Sequence, residues 1–175
     1  MIPNCIIYSL DLIRIRQWYK NLVVFLALFF SANLFNVRYV QEIIIAFFAL
    51  CFISSFGYIL NDIVDVKKDR LHPEKRNRPL AVKKITQLEA IIIALIMVSL
   101  GILLALQLNT ITLIFILFIW IVNVGYSLIL KHIMLADILT ISTLFVLRAI
   151  IGALAIKVTI SPWLILCPFF LSLFR

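Results

Sequence analysis

The residues best equipped for chemistry lie in one short run, Asn61-Asp62-Ile63-Val64-Asp65-Val66-Lys67-Lys68-Asp69-Arg70, continued by His72-Pro73-Glu74-Lys75-Arg76-Asn77-Arg78-Pro79. Residues 61–87 hold eight of the sixteen Lys and Arg, and three of the four Asp outside the N-terminal region. If the helix expected before Asn61 runs on to Arg70, then Asp62, Asp65 and Asp69 stand at i, i+3 and i+7 and share a face, at about 100° per residue. Asn61 joins that face through its i+4 relation to Asp65. Carboxylates crowded in this way repel one another, and the C-terminus of a helix disfavours negative charge further. A cation relieves both effects. Hard divalent ions such as Mg2+ take oxygen ligands, keep several waters and bridge one or two carboxylates to substrate phosphates. Asn61, Asp62, Asp65 and Asp69 are therefore candidate metal ligands, and the three aspartates are the candidate catalytic set. Lys75, Arg76 and Arg78 suit the remaining phosphate oxygens. The plainer alternative is a solvated charged loop that only fixes orientation; regular acidic spacing followed by a basic, Pro-bounded run speaks against it.

Everything around this segment is apolar. Of the 175 residues, 65% are hydrophobic and fourteen are Phe, which marks an integral membrane protein. The net charge of +8 could suggest nucleic acid. The cations, however, sit in short loops between apolar runs, with no basic face or recognition motif, so no nucleic-acid partner is expected. Cys5, Cys51 and Cys167 are far apart and read as small buried hydrophobes. The first ten residues lack the basic n-region of a cleaved signal.

Residues 8–20 mix apolar and basic positions and end on Trp18 and Tyr19, the pattern of an interfacial helix. Apolar spans are expected near 21–35, 40–60, 88–106, 111–130 and 133–156, with a sixth beginning at Trp163. Ser54, Ser55 and Gly57 permit close helix contact, and Pro73 and Pro79 break any helix continuing past Asp69. Placing the N-terminus, residues 61–87, Lys131 and Arg175 on one side gives it thirteen Lys and Arg against two, Arg38 and Lys157, on the other. Positive loops stay inside, so the N-terminus and the charged segment are expected in the cytoplasm. From Trp163 to Phe174 is too short to cross a bilayer, and a fragment of a longer chain is expected.

Polar groups within spans are costly and mark function. Asp137 and Arg148 are eleven residues apart on one helix face, about 16 Å along the axis, and are expected to look into a common cavity. Asn123 and Tyr126, followed by Lys131, form a second polar patch just before Asp137; an aromatic-belt role is the ordinary alternative for Tyr126. Lys20 reads most simply as a snorkelling anchor, and His72 has no second His near it to share a metal.

Asn61-Asp62-x-x-Asp65-x-x-x-Asp69, with Arg78-Pro79-Leu80 after it, resembles the first aspartate-rich motif of the UbiA superfamily of intramembrane prenyltransferases. The continuation Asp69-Arg70-x-His72-Pro73-x-Lys75-Arg76-x-Arg78-Pro79 is similar to one branch, the decaprenyl-phosphate phosphoribosyltransferases. Gln17-Trp18-x-Lys20-Asn21, Tyr126-Ser127-x-x-Leu130-Lys131, Asp137, Phe145-Val146-Leu147-Arg148-Ala149-x-x-Gly152 and Ser161-Pro162-Trp163 carry the same likeness. The resemblance implies an all-α transmembrane helix bundle of nine helices, about six of them present in a single membrane-embedded domain over 1–175. It also implies a second acidic cluster beyond Arg175.

The implied reaction moves a 5-phosphoribosyl group from phosphoribosyl diphosphate to a polyprenyl phosphate lipid in the inner or plasma membrane, with Mg2+ as cofactor. Asn61, Asp62, Asp65 and Asp69 would hold the metal on the diphosphate, and Lys75, Arg76 and Arg78 would clamp phosphates. Lys20, Tyr126, Lys131 and Asp137 would bind substrate. Assembly into a homo-oligomer is compatible with the sequence. The competing readings are a prenyltransferase acting on an aromatic acceptor and a non-enzymatic scaffold or transporter half. CDP-alcohol phosphotransferases are set aside because their Asp-Gly-x-x-Ala-Arg element is missing.

Overall fold

The longest element, α3 (Val37–Asp69), runs unbroken for 33 residues, and most of the other helices pack on it. Asn36 starts it by accepting the backbone N–H groups of Arg38 and Tyr39 on its side-chain oxygen. At about 1.5 Å per residue the helix is roughly 50 Å long, well beyond a hydrocarbon core of about 30 Å. Its last turns, from Asn61 to Asp69, can therefore stand clear of the apolar layer as a continuous helix.

The computed structural model describes residues 4–129 and 134–173, and these contain helices and turns but no strand. The remaining α-helices are α1 (Asn4–Ile13), α2 (Leu26–Phe30), α4 (Gln87–Ala105), α5 (Thr110–Leu128), α6 (Met134–Ala155) and α7 (Pro162–Leu173). Four helices, α3 to α6, are long and apolar enough to cross a membrane. The other two expected spans take different forms. The segment expected as a first α-helical span consists of a 3-10 helix, Ile15–Phe25, leading into the five-residue α2. The last is the 12-residue α7.

The 3-10 geometry has a local cause. At about three residues per turn, Trp18, Asn21 and Val24 fall in one row. Trp18 donates its indole N–H to Ser55 Oγ at 3.0 Å; Asn21 is buried beside Cys51 Sγ at 3.3 Å, with Ser54 Oγ 3.5 Å from its Oδ1. Val24 lies at zero exposure against α6. That row meets α3 and α6 along one edge, which an α-helical winding would scatter. Between α1 and the 3-10 helix Arg14 takes a left-handed conformation, φ 56°, which turns the chain back toward α3.

Small residues set the helix spacing, as expected where lipid supplies no hydrophobic drive for helices to associate. Ala90, Ala94, Val98, Gly101 and Ala105 form the buried face of α4, and a Cβ on Gly101 would stand 2.9 Å from Ile53 Cγ1 of α3. The opposite face of α4 offers Leu88, Leu95 and Leu103 to lipid. Asn109 caps α5 by accepting the Thr112 N–H at 3.0 Å, and its amide donates to the Leu154 carbonyl at 2.8 Å, joining the start of α5 to the end of α6. Cys51 is buried as expected; Cys167 is exposed on α7, a correction that follows from α7 packing on α6 by its other face.

Beyond Asp69 the chain leaves the helix, as Pro73 requires, and crosses a loop to Thr86. Leu80 and Ile85 anchor that loop in an apolar cluster with Leu12, Ile59, Val66, Ala90 and Ala94. A reciprocal capping box between Thr86 and Glu89 then opens α4.

At Gly152 the backbone of α6 comes so close to the 3-10 helix that any Cβ would overlap the Val24 carbonyl. Replacing Gly152 with Ala is expected to cost about 1–3 kcal/mol by overpacking. The check is a lowered thermal unfolding midpoint in detergent, with Gly125→Ala, which meets open space, as the neutral control.

Candidate functional site

Where α3 passes from apolar to polar sequence, it borders a cavity of about 210 Å3 shared with α5, α6 and the 3-10 helix. Three cations line it: Arg14, Lys20 and Arg148. The other polar lining comes from Ser54, Tyr58 and Asn61 of α3 and from Asn123, Tyr126 and Ser127 of α5. Among the cavity's lining residues there is no Asp or Glu, although Asp62 and Asp137 bond to the lining residues Arg14 and Tyr126, and the wall is rich in hydrogen-bond donors.

The aspartates of α3 divide into two groups. Arg14 Nη2 donates to Asp62 Oδ1 at 2.6 Å, while Arg78 Nη1 reaches Asp62 Oδ1 at 2.9 Å and Asp69 Oδ2 at 2.7 Å. The two carboxylates are almost fully buried, with side chains 3% and 6% exposed. Positions i and i+7 differ by only about 20° around a helix, so one guanidinium, that of Arg78, reaches both carboxylates. Asn61 and Asp65 are rotated about 60–100° from Asp62. Asn61 lines the cavity, and half-buried Asp65 lies within electrostatic range of the Tyr126 hydroxyl.

The sequence reading placed Asn61, Asp62, Asp65 and Asp69 in one ligand set. Among the described residues no three Asp, Glu, His or Cys side chains converge into a metal cage. Arg14 and Arg78 engage Asp62 and Asp69, while Asn61 lines the cavity and Asp65, one turn further along the same side of α3, stands beyond its lining. These two oxygen donors fit Mg2+, which takes few protein ligands and fills its shell with water and phosphate oxygens.

The other expected site residues are distributed as follows. Arg78 folds back onto Asp62 and Asp69, whereas Lys75 and Arg76 are exposed on the 3-10 turn Lys75–Asn77. Lys20 lines the cavity, more than the anchoring role its position suggested, and its Nζ is 3.4 Å from Gln17 Oε1. Tyr126 donates its hydroxyl proton to Asp137 Oδ1 at 2.6 Å, which ties α5 to α6 at the cavity. Lys131 lies outside the described residues. Arg14 escaped the sequence reading because its partner is 48 positions away and nothing local distinguishes it from Arg16. Arg148 and Asn123 stood out in the sequence as polar groups in spans; the cavity they share depends on helix packing.

The fold matches that of solved structures. A UbiA homolog from Archaeoglobus fulgidus, bound to DMAPP and Mg2+, superposes with a TM-score of 0.80 at 20% identity, covering 94% of this chain and 60% of that one. At that identity the likeness establishes the fold. Residues 20–174 match the model of the UbiA prenyltransferase family, and the chain belongs to that family. The decaprenyl-phosphate phosphoribosyltransferase of Corynebacterium glutamicum is 37% identical over 167 residues, 93% of this chain and 50% of that protein. The protein of the same name from Mycolicibacterium smegmatis is 34% identical over 168 residues, 93% of this chain and 52% of that protein. The chain thus spans about half the length of these relatives.

Removing one partner of a buried ion pair leaves an uncompensated charge. Arg78→Met is expected to destabilise the protein toward the lower end of roughly 3–5 kcal/mol, because Arg14 still covers Asp62. Adding Asp69→Asn to Arg78→Met should recover part of that loss, read as the unfolding midpoint in a mixed-detergent titration.

Proposed function

We propose that the chain belongs to an enzyme that transfers a 5-phosphoribosyl group from phosphoribosyl diphosphate to a polyprenyl phosphate, releasing diphosphate. The observation that carries this reading is the cavity with Arg14, Lys20 and Arg148 in its wall and Asn61 at its edge. Such a cavity suits a ligand with several phosphate charges. The names of the relatives at 37% and 34% identity supply the particular pair of substrates. As about half of such a protein, the chain contributes the diphosphate side of the site.

Mg2+ held by Asn61 and Asp65 would neutralise charge on the diphosphate. The chain's own groups do the rest. Lys20 meets phosphate oxygens at the cavity wall, offsetting negative charge as the bond to the sugar carbon lengthens, and Arg14, paired with Asp62, adds donors there. Asp62 and Asp69, neutralised by Arg14 and Arg78, fix the rotation of α3 so that Asn61 and Asp65 keep their aim. The Tyr126 hydroxyl, held by Asp137, walls the side of the cavity where the sugar is placed in this reading. Lys75 and Arg76, exposed beside the site, raise the local potential for an incoming anion. We also propose that the N-terminus and the 61–87 segment face the cytoplasm, on the balance of basic residues.

Two substrate pairs test this: phosphoribosyl diphosphate with polyprenyl phosphate, and prenyl diphosphate with 4-hydroxybenzoate. Labelled product from the first pair supports the reading; product from the second alone overturns it in favour of aromatic prenylation. Asp65→Asn is expected to lower turnover by at least about 100-fold, as for loss of a charge-stabilising group at a reaction centre, with membrane insertion intact. Mg2+ with diphosphate should protect residues 61–79 from proteolysis, and the same variant should lose that protection.

A further inference from the structure

Arg148 is a buried charge that forms no ion pair among the described residues. It is 6% exposed, and its Nε has no hydrogen-bond partner. It lies over Phe145, whose ring centre is 5.2 Å from the guanidinium carbon. A desolvated guanidinium without a counter-ion is costly and is retained where a ligand completes it. A second orphan lines the same cavity: the side-chain N–H2 of Asn123 is buried with no acceptor. Gly57 admits Asn123 there, since a Cβ on Gly57 would stand 3.2 Å from Asn123 Cγ.

Depth sets Arg148 apart from the metal side, and Asn123, opposite Gly57, stands between the two, about 6 Å before Asn61 along α3. Ser54, which also lines the cavity, precedes Asn61 by seven residues, about 10 Å along α3. Arg148 follows Asp137 by eleven, about 16 Å along α6. An adjoining cavity of about 390 Å3 starts at Lys20 and Phe145 and continues past Leu26, Cys167 and Leu171, a largely apolar path leading away from Arg148's neighbourhood.

We infer that Arg148 and Asn123 form a second anion subsite, at the inner end of the cavity, that takes a phosphate monoester separate from the diphosphate held near Asn61 and Asp65. Unpaired donors and no carboxylate select phosphate oxygens, and the guanidinium fork suits two of them. The phosphate could belong to the lipid, whose chain the apolar path would accept, or to the 5-position of the ribosyl donor. The inference rests on the proposed function only for these two sources.

The test is binding to the chain in nanodiscs with Mg2+, using four probes: farnesyl phosphate, farnesol, phosphoribosyl diphosphate and inorganic pyrophosphate. Arg148→Met, close in length and uncharged, is expected to weaken one monoester-bearing probe by about 10–100-fold, the loss of a charge-assisted hydrogen bond, with farnesol and pyrophosphate unchanged. Asn123→Leu, which removes a donor without removing a buried charge, should weaken the same probe and guards against misfolding of the first variant. A loss confined to farnesyl phosphate assigns the subsite to the lipid. A loss for phosphoribosyl diphosphate alone assigns it to the sugar phosphate. Unchanged binding of every probe by both folded variants overturns the subsite, and so does an equal loss for pyrophosphate. Wild-type protein that binds farnesyl phosphate through Arg148 but treats phosphoribosyl diphosphate and pyrophosphate alike would remove the phosphoribosyl reading and keep the subsite.

Discussion

Two carboxylates and two guanidiniums, Asp62, Asp69, Arg14 and Arg78, form a compact, nearly neutral cluster at the polar end of α3. Such groups are expensive to desolvate singly and tolerable only as a satisfied set. The set draws on three separate parts of the chain. Arg14 comes from the junction after α1, Arg78 from the loop after α3, and the acids from α3 itself. Each part has its own apolar anchor, Leu12 on one side and Leu80 with Ile85 on the other, so that hydrophobic burial brings the arginines within reach. The cluster then settles which face of α3 is turned to the cavity.

That division of labour accounts for what could be read from sequence. The aspartate spacing and the continuation of the helix past Asn61 are local properties, visible in a period of 3.6 and in the place of the first proline. Which aspartates meet arginine and which lie on the cavity side of α3 depends on Arg14, 48 residues away from Asp62, and no pattern within α3 encodes it. The first apolar run misleads for a related reason. Its composition is that of an α-helical span, while the row formed by Trp18, Asn21 and Val24 has the three-residue period of a tighter winding. Arg14 gives no warning of its positive φ, since its residue type does not favour it; its N–H closes the end of α1 on Leu10 and Asp11 while its side chain meets Asp62 and Tyr58. Arg148 was conspicuous as a charge in a span; its relation to Asn123 depends on the closeness of α3 and α5 that Gly57 allows.

Apolar and polar functions are kept on different helices. α4 gives its small residues to α3 and its branched side chains to lipid, and contributes nothing to the cavity wall. α5 and α6 carry the internal polar groups, Asn123, Tyr126, Asp137 and Arg148, each directed away from lipid. A buttressing helix of this kind tolerates exchange among aliphatic residues on its outer face, because lipid tails distinguish poorly between Leu and Ile.

The tight winding of Ile15–Phe25 also changes how far the chain travels per residue. A 3-10 helix rises about 2.0 Å per residue against about 1.5 Å for an α-helix, so eleven residues of the first and five of the second in α2 extend roughly 30 Å. An ordinary helix of the same length would stop several ångströms short. Stretching the backbone therefore lets a brief peptide run further along its neighbours while Trp18, Asn21 and Val24 stay in file against α3 and α6.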